Sequence, residues 1–268
     1  MAIQSGYDGV KMEAVKVPAI HGWLWIKQGY GLFKKNPLLW MVLTAIGVIG
    51  LFAVASIPVI GDPLSTLLFP VVLAGFMHAC RALDQNEELE LSHLFAGFRQ
   101  NTQHLITLGG INLVGQLLIL GLMMLTGGAA MVSIIMSNEP VTDPAVLMQA
   151  MTGAGPALLI GLVLFCILVM AMQFAPMLVI FDNMKPIAAL KASLRGFLRN
   201  LLPLTVYGLL LLPFAIVASL PVMLGWLFLL PVIITSLYAI YSDLFPMQTA
   251  APKAVEAEVI SSDEESHS

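Results

Sequence analysis

Five long segments without a single charged side chain constrain what this chain can fold into. They cover residues 36–61, 63–80, 100–138, 144–181 and 200–242. A helix needs about 20 apolar residues to cross the hydrocarbon core of a bilayer, and each segment is close to that length or longer. Only 10% of the 268 residues are charged, whereas soluble domains carry roughly 25%. The sequence therefore predicts an all-α integral membrane protein.

Glycine and proline residues within these segments predict six transmembrane helices. Asp62-Pro63 forms a tight turn between the first two segments, and Pro221 divides the last segment into two crossings. Gly127-Gly128 and Pro156 limit the two middle segments to one crossing each. We expect the helices near residues 38–60, 64–82, 105–126, 156–181, 201–219 and 224–242.

Three stretches fall outside these helices. Residues 1–20 form a polar N-terminal segment that lacks the apolar core of a cleavable signal. Residues 127–155 are expected to form two short interfacial helices, and the plainest role for them is a lid over the outer mouth of the bundle. Residues 246–268 are acidic and without apolar periodicity, which predicts a disordered tail that is either solvated or read by a partner.

The distribution of charge predicts the orientation of the six helices. All twelve Lys and Arg residues fall on one side of the predicted membrane. The charged residues in the short connections on the other side are all acidic: Asp62, Glu139 and Asp143. Because basic connections stay in the cytoplasm, we expect a bacterial inner-membrane protein with both termini cytoplasmic.

A short phrase occurs three times, as GLFKKNP from Gly31, GFRQN from Gly97 and GFLRN from Gly196. Each phrase follows an apolar stripe at helical spacing, and each precedes an odd-numbered span. This pattern predicts three repeats of an interfacial amphipathic helix plus a two-span hairpin, at about residues 21–84, 91–182 and 186–243 of a membrane domain covering 21–245. The even spans end alike, at Asp84, Asp182 and Asp243. The stripes are Trp23, Ile26, Tyr30 and Phe33; Leu91, Leu94, Phe95 and Phe98; and Ile187, Leu190, Leu194 and Phe197.

Three runs carry a resemblance to a known family: HGWLWIKQGYGLFKKNPLLW, FMHACRALDQNEELELSHLFAGFRQ and SLYAIYSDLF. They resemble an uncharacterised family of bacterial six-span inner-membrane proteins, over roughly residues 20–245. The plan is more distantly similar to the membrane domain of some glycerophosphodiester phosphodiesterases. That resemblance implies no hydrolase, because a catalytic barrel of about 250 residues has no room in this chain. It implies a topology and no established activity.

Polar groups within the predicted spans are few, and the one charged side chain, Arg81, stands at the basic end of the second span. Asn112 and Gln116 lie one turn apart on the third span, and Gln173 lies in the fourth. They are candidates for a polar lining, although interhelical hydrogen bonds explain them more simply. His78 and Arg81 share a face at the basic end of the second span. This pair either clamps a lipid phosphate or is solvated among headgroups.

The sequence favours a non-enzymatic membrane protein that binds anionic lipid of the cytoplasmic leaflet or serves as an accessory or scaffold component with a protein partner. The alternative is a facilitator or channel for a neutral or amphipathic solute, and an intramembrane enzyme ranks third. No catalytic motif, metal-ligand spacing, cofactor signature or basis for nucleic-acid binding is evident. The candidate lipid headgroup contacts are Lys34, Lys35, Arg81, Arg99, Lys191, Arg195 and Arg199.

Overall fold

Six helices that are long and apolar enough to cross a membrane form the body of the molecule. The computed structural model describes residues 14–137, 143–220 and 223–246, and no strand occurs among them. The predicted six-span all-α fold is confirmed, with every boundary within about five residues of the expectation. The spans are Pro37–Ala55, Gly61–Asp84, Thr102–Thr126, Ala154–Asp182, Leu201–Ser219 and Trp226–Leu244.

Two of the helices begin at a side-chain cap followed by proline. The Asn36 side chain accepts the Leu39 N–H at 3.3 Å ahead of Pro37, and the Asp143 side chain accepts the Ala145 N–H at 2.8 Å. In chain order the helices are α1 His21–Lys35, α2 Pro37–Ala55, α3 Gly61–Asp84, a 3₁₀ helix Leu91–Phe98, α4 Thr102–Met123, α5 Ala129–Ser137, α6 Pro144–Met172, α7 Ala175–Asp182, α8 Pro186–Arg199, α9 Leu201–Ser219 and α10 Trp226–Leu244.

The prediction of two short interfacial helices in residues 127–155 is wrong. A π-helical turn, Met124–Gly128, joins α4 to α5, so Gly127-Gly128 widens the helix instead of ending it. On the other arm α6 begins at Pro144 and continues into the fourth span. The two arms thus extend about 15 Å past the spans. Because α5 packs on α4, the π turn and α6, the extension lies against its own hairpin, which does not fit a lid across the bundle. Residues 138–142 lie outside the described residues.

Span four is broken at residues 173–174, between α6 and α7. Pro176 has no N–H to continue the helical ladder across the break. The buried Ser193 hydroxyl of α8 replaces the missing bonds, accepting the Phe174 N–H at 3.0 Å and donating to the Met170 carbonyl at 3.0 Å. One side chain of α8 therefore stabilises the kink in the fourth span.

Helix α1 is not confined to the membrane boundary as predicted, because it packs antiparallel along α10. Gly29 lies directly on the backbone of Ser236, and the Phe33 and Phe228 rings meet with centroids 4.6 Å apart. Of the predicted stripe, Ile26 and Phe33 are buried, whereas Trp23 and Tyr30 are exposed. The buried face consists of Gly22, Trp25, Ile26, Gly29 and Phe33.

Small residues also form the contacts of the other two amphipathic elements. The second is a 3₁₀ helix instead of the predicted α-helix, and it approaches α3 where Gly75 faces the Leu94 backbone and Gly97 faces the Val71 carbonyl. Leu91, Phe95 and Phe98 of its stripe are exposed. Helix α8 buries Ala189, Ala192, Ser193 and Gly196 and leaves Ile187 exposed. Small side chains therefore face the protein, and much of the apolar stripe faces outward.

The three amphipathic elements pack at corresponding places, each against an even span. One contact residue in each element stands seven positions before the asparagine of its phrase: Gly29, Leu94 and Ser193. These residues contact Ser236, Gly75 and Phe174 respectively. The glycines of the phrases are not equivalent, because Gly31 faces open space whereas Gly97 and Gly196 are closely packed. The threefold repeat of the sequence stays a prediction.

The buried core lies at the basic end of the bundle. Its large side chains come from the C-terminal halves of the even spans, with Met77, Met177 and Ile240 all fully or nearly fully buried. Trp25 and Trp40 complete this core from α1 and α2. The candidate functional residues lie at this well-packed end of the bundle.

Candidate functional site

Two aspartates that end even spans are held by tyrosines of α10. The Tyr238 hydroxyl donates to Asp84 at 3.2 Å, and the Tyr241 hydroxyl donates to Asp182 at 2.5 Å. The phenol groups pin the C-terminal ends of α3 and α7 to span six. Both pairs lie at the basic end of the bundle, where the charge of Arg81 acts on Asp182.

The third of these aspartates, Asp243, is held by α1. The Trp25 indole N–H donates to its carboxylate at 2.8 Å, and His21 Nδ1 donates at 2.6 Å. The His21 and Trp25 rings also meet edge to face, with centroids 6.3 Å apart. All three span-ending aspartates therefore accept hydrogen bonds from aromatic side chains of a neighbouring helix.

The residues that precede the odd spans tie those spans to neighbouring chain segments. The Asn101 amide donates to the Val179 carbonyl at 2.9 Å and to Asn183 Oδ1 at 2.7 Å. Within the first phrase, GLFKKNP, Lys35 Nζ donates to the Leu83 carbonyl at 2.5 Å. Lys35, which the sequence predicts as a headgroup contact, therefore donates at least one hydrogen bond to the C-terminal end of α3.

Asn200 holds the N-terminal segment against the bundle. Its Oδ1 accepts the Val17 N–H at 2.9 Å, and its Nδ2 donates to the carbonyls of Val15 and Gly196 at 2.8 and 3.1 Å. The side chain is fully buried. This clamp brings the segment before α1 beside the start of α9.

A polar cleft of about 240 Å³ lies between the C-terminal end of α3, the 3₁₀ helix and α7. The Arg81 guanidinium lies 4.9 Å from the centroid of the Phe181 ring, an arrangement that favours the cation. His78 Nε2 is 3.0 Å from Gln100 Oε1, and its ring lies 5.9 Å from that of Phe181. The cleft is lined by His78, Arg81, Ala82, Gln85, Glu87, His93, Gln100, Ile180 and Phe181.

Three basic side chains form one flank of α8. Lys191, Arg195 and Arg199 are all exposed and recur at intervals of four residues. Ile187 and Leu198, which are 62% and 57% exposed, stand next to this row on the helix surface and begin the apolar flank. Between these flanks the small buried residues attach the helix to the protein. An amphipathic helix with this division can place its apolar flank in hydrocarbon and its basic flank among headgroups.

The other predicted headgroup contacts are spread around the same end and do not converge with α8 on one site. Lys34 is exposed, with Nζ 5.6 Å from the centroid of the Tyr30 ring. Arg99 is exposed just after the 3₁₀ helix. Of the seven predicted residues, Arg81 lines the cleft. The arrangement therefore comprises a basic surface and a separate cleft.

The structure does not bring the predicted polar lining together. On α4, Asn112 is half-buried and Gln116 is exposed, while Gln173 lies at the break between α6 and α7. No hydrogen bond joins these three amides to another described residue. Neither a shared path nor interhelical bonding is confirmed for them.

The sequence identified some residues of this site but not the residues that they contact. Asp84, Asp182 and Asp243 stood out as matching span ends, and Asn101 and Asn200 as the last residues of repeated phrases. Apart from Gly196, which accepts a bond from Asn200, their partners are more than 50 residues away, and no local pattern identifies such pairs. Within the residues described, no cluster of three or more His, Cys, Asp or Glu residues could hold a metal ion.

Comparison with known proteins gives two matches and no solved structure. The model of a family described as "Domain of unknown function (DUF7847)" matches residues 25–262. A protein of Burkholderia thailandensis described as a probable inner membrane protein is 33% identical over 205 residues, covering 74% of this chain and 75% of that protein. No solved structure matches the chain significantly. The distant resemblance to glycerophosphodiester phosphodiesterases stays a prediction.

Proposed function

We propose that this chain, which belongs to the DUF7847 family and is a multi-pass inner-membrane protein, binds anionic phospholipid of the cytoplasmic leaflet through its basic end. In this role it acts as a lipid-interacting accessory or scaffold component and not as an enzyme. Both termini face the cytoplasm, because basic connections are retained there. Ten of the twelve Lys and Arg residues lie in described segments. Nine of them stand before span one or between spans two and three or four and five, and Arg81 stands in the last turn of span two at the same end.

The observation that carries the proposal is the division of α8 into three faces. Ala189, Ser193 and Gly196 attach the helix to the protein, so its orientation is fixed. Lys191, Arg195 and Arg199 then all project from one flank. Basic residues near an anionic membrane surface contribute about 1 kcal/mol each. A fixed row of three therefore concentrates anionic headgroups beside the kinked fourth span.

Replacing Lys191, Arg195 and Arg199 together with Gln tests the proposal. At about 1 kcal/mol for each residue, we expect affinity for vesicles containing phosphatidylglycerol to fall by roughly a hundredfold at low salt. The bundle should remain folded because none of the three side chains is buried. Lipid quantified by mass spectrometry after purification in mild detergent should lose phosphatidylglycerol in parallel.

The matched control exchanges the same three residues while keeping their charge, as Lys191→Arg with Arg195→Lys and Arg199→Lys. It should bind anionic vesicles like the original chain and lose affinity as salt rises, since exposed charges are screened. Unchanged phosphatidylglycerol content in the Gln variant would contradict the proposal.

A facilitator for a neutral or amphipathic solute is the alternative. It is favoured by Asn112, whose half-buried amide forms no hydrogen bond with another described residue. An amide in hydrocarbon needs a partner or water, and a passing solute would supply one. Solute flux into proteoliposomes that Asn112→Leu abolishes, without loss of folded protein, would replace the lipid-binding proposal with this one.

A further inference from the structure

Several side chains that carry N–H groups line the cleft between α3, the 3₁₀ helix and α7. The Phe181 ring holds the Arg81 guanidinium at 4.9 Å from its centroid. The His93 Nδ1 accepts the Glu90 N–H at 3.1 Å, which leaves Nε2–H as the donor of the neutral ring. Gln100 points its carbonyl at His78, so its amide N–H groups remain as donors. Such a set matches the oxygens of a phosphate group.

The cleft also contains a negative wall, which a simple anion would meet unfavourably. Glu87 lines the cleft, and its backbone N–H donates to the Ala82 carbonyl at 2.8 Å, so its loop is tied to the end of α3. Nearby, Asp182 is held by Tyr241 and is within range of the Arg81 charge. Positive and negative groups are thus both fixed here, and a ligand with both charges pairs with both.

From this arrangement we propose that the cleft binds the phosphoethanolamine headgroup of a phospholipid. The phosphate lies against Arg81 and His93, and the primary ammonium donates to the Glu87 carboxylate. The cleft is open and formed at the C-terminal end of span two, so a headgroup can enter while its acyl chains stay beside the helices. This inference rests on the proposed contact with the headgroup layer, but its site and lipid differ from those of α8.

Charge and hydrogen bonding distinguish this headgroup from others. Phosphatidylglycerol has the phosphate but no cation for Glu87. Phosphatidylcholine has a cation, but its trimethylammonium group has no N–H to donate. The cleft should therefore prefer phosphatidylethanolamine to both, whereas the basic flank of α8 prefers the anionic lipid.

Native mass spectrometry of the full chain, exchanged separately into each of the three lipids, tests the proposal. We expect one phosphatidylethanolamine to be retained about tenfold more than either other lipid, which corresponds to about 1.4 kcal/mol. Glu87→Gln should abolish the preference for phosphatidylethanolamine over phosphatidylglycerol, because the ammonium loses its charged partner. Arg81→Gln should abolish retention of all three at this site.

A neighbouring residue supplies the matched control. Glu88→Gln removes the same charge as Glu87→Gln from an exposed position that does not line the cleft, and it should retain the preference. Arg81→Lys keeps the charge, so retention by this variant would show that Arg81→Gln acts through the lost charge and not through loss of folding. Equal retention of the three lipids by the original chain, or a preference that survives Glu87→Gln, would overturn the assignment.

Soluble O-phosphoethanolamine separates two sources of the same headgroup chemistry. If it displaces retained phosphatidylethanolamine, the headgroup is recognised and the bound molecule is a lipid. If it binds in calorimetry while no lipid is retained, the recognised group belongs to a soluble molecule, which overturns the lipid assignment. If the α8 variant keeps its phosphatidylglycerol while the cleft shows its preference for phosphatidylethanolamine, only the proposed anionic lipid contact of α8 is rejected.

Discussion

Gly29→Ala should destabilise the protein by about 1–3 kcal/mol, which is the usual cost of overpacking a tight contact. A Cβ at this position would lie closer than 3.0 Å to the backbone nitrogen and Cα of Ser236 on α10. Backbone atoms within a helix cannot shift without moving the whole element. The two helices would have to separate, which would strain the hydrogen bonds from His21 and Trp25 to Asp243. Denaturant titration in detergent measures the change in free energy of unfolding.

Gly31→Ala is the matched control because it lies two residues away on the same helix. A Cβ there meets no atom within 4 Å. Replacing glycine with alanine within a helix stabilises it by roughly 0.5–1 kcal/mol, so this variant should be as stable as the original chain or more so. Equal destabilisation by both substitutions would show that α1 does not pack on α10 through Gly29.

Asn200→Leu should release the N-terminal segment from the bundle. The substitution leaves the part-buried Val17 N–H and Val15 carbonyl without their partner. A fully buried group left unsatisfied costs about 1–3 kcal/mol, and these two cost less because water reaches them in part. Lys16 stands between these two residues, so trypsin reports the release directly. Because cleavage follows the population of the open form, we expect cleavage after Lys16 to accelerate roughly tenfold or more.

Asn36→Leu is the corresponding control, since Asn36 also precedes an odd span but caps only its own helix through Leu39. It should lower stability by about 1 kcal/mol and leave cleavage after Lys16 unchanged. Cleavage that is slow in both variants would mean that Asn200 does not hold the segment.

The spans were predictable because each depends on a local property of the chain. Long uncharged segments fix the number of crossings, and Asn36 with Pro37 or Asp143 with Pro144 marks where a helix begins. The kink in span four was not predicted, although Pro176 is visible in the sequence. Its stabilising group, the Ser193 hydroxyl, comes from another helix, and nothing near Pro176 points to it.

Glycine caused the main errors in the sequence interpretation. Gly127-Gly128 was expected to end a helix, but a π turn carries the chain through it. Gly29 and Gly75 lie within helices and carry no turn signal, yet they permit the closest contacts between elements. Whether a glycine breaks a helix or admits a neighbour depends on tertiary packing, which the local sequence does not encode.

The side of each amphipathic helix that packs on the protein was not predicted. In a soluble protein the apolar face of an amphipathic helix packs on the core. Beside a bilayer the same face can contact lipid, which leaves small residues such as Ala189 and Gly196 to pack on the protein. The basic flank of α8 was predictable from the spacing of its three residues. The cleft was not, because residues that line it, such as Phe181 and Glu87, stand 94 residues apart in the chain.

The orientation of the basic end tests the account most directly, because both proposed lipid contacts belong to the cytoplasmic leaflet. Alkaline phosphatase, active outside the inner membrane, and green fluorescent protein, active inside, can each be fused after Phe245 or inserted near Glu139. The account predicts fluorescence without phosphatase activity after Phe245 and phosphatase activity near Glu139. Phosphatase activity at the position after Phe245 would place the basic end outside and contradict it.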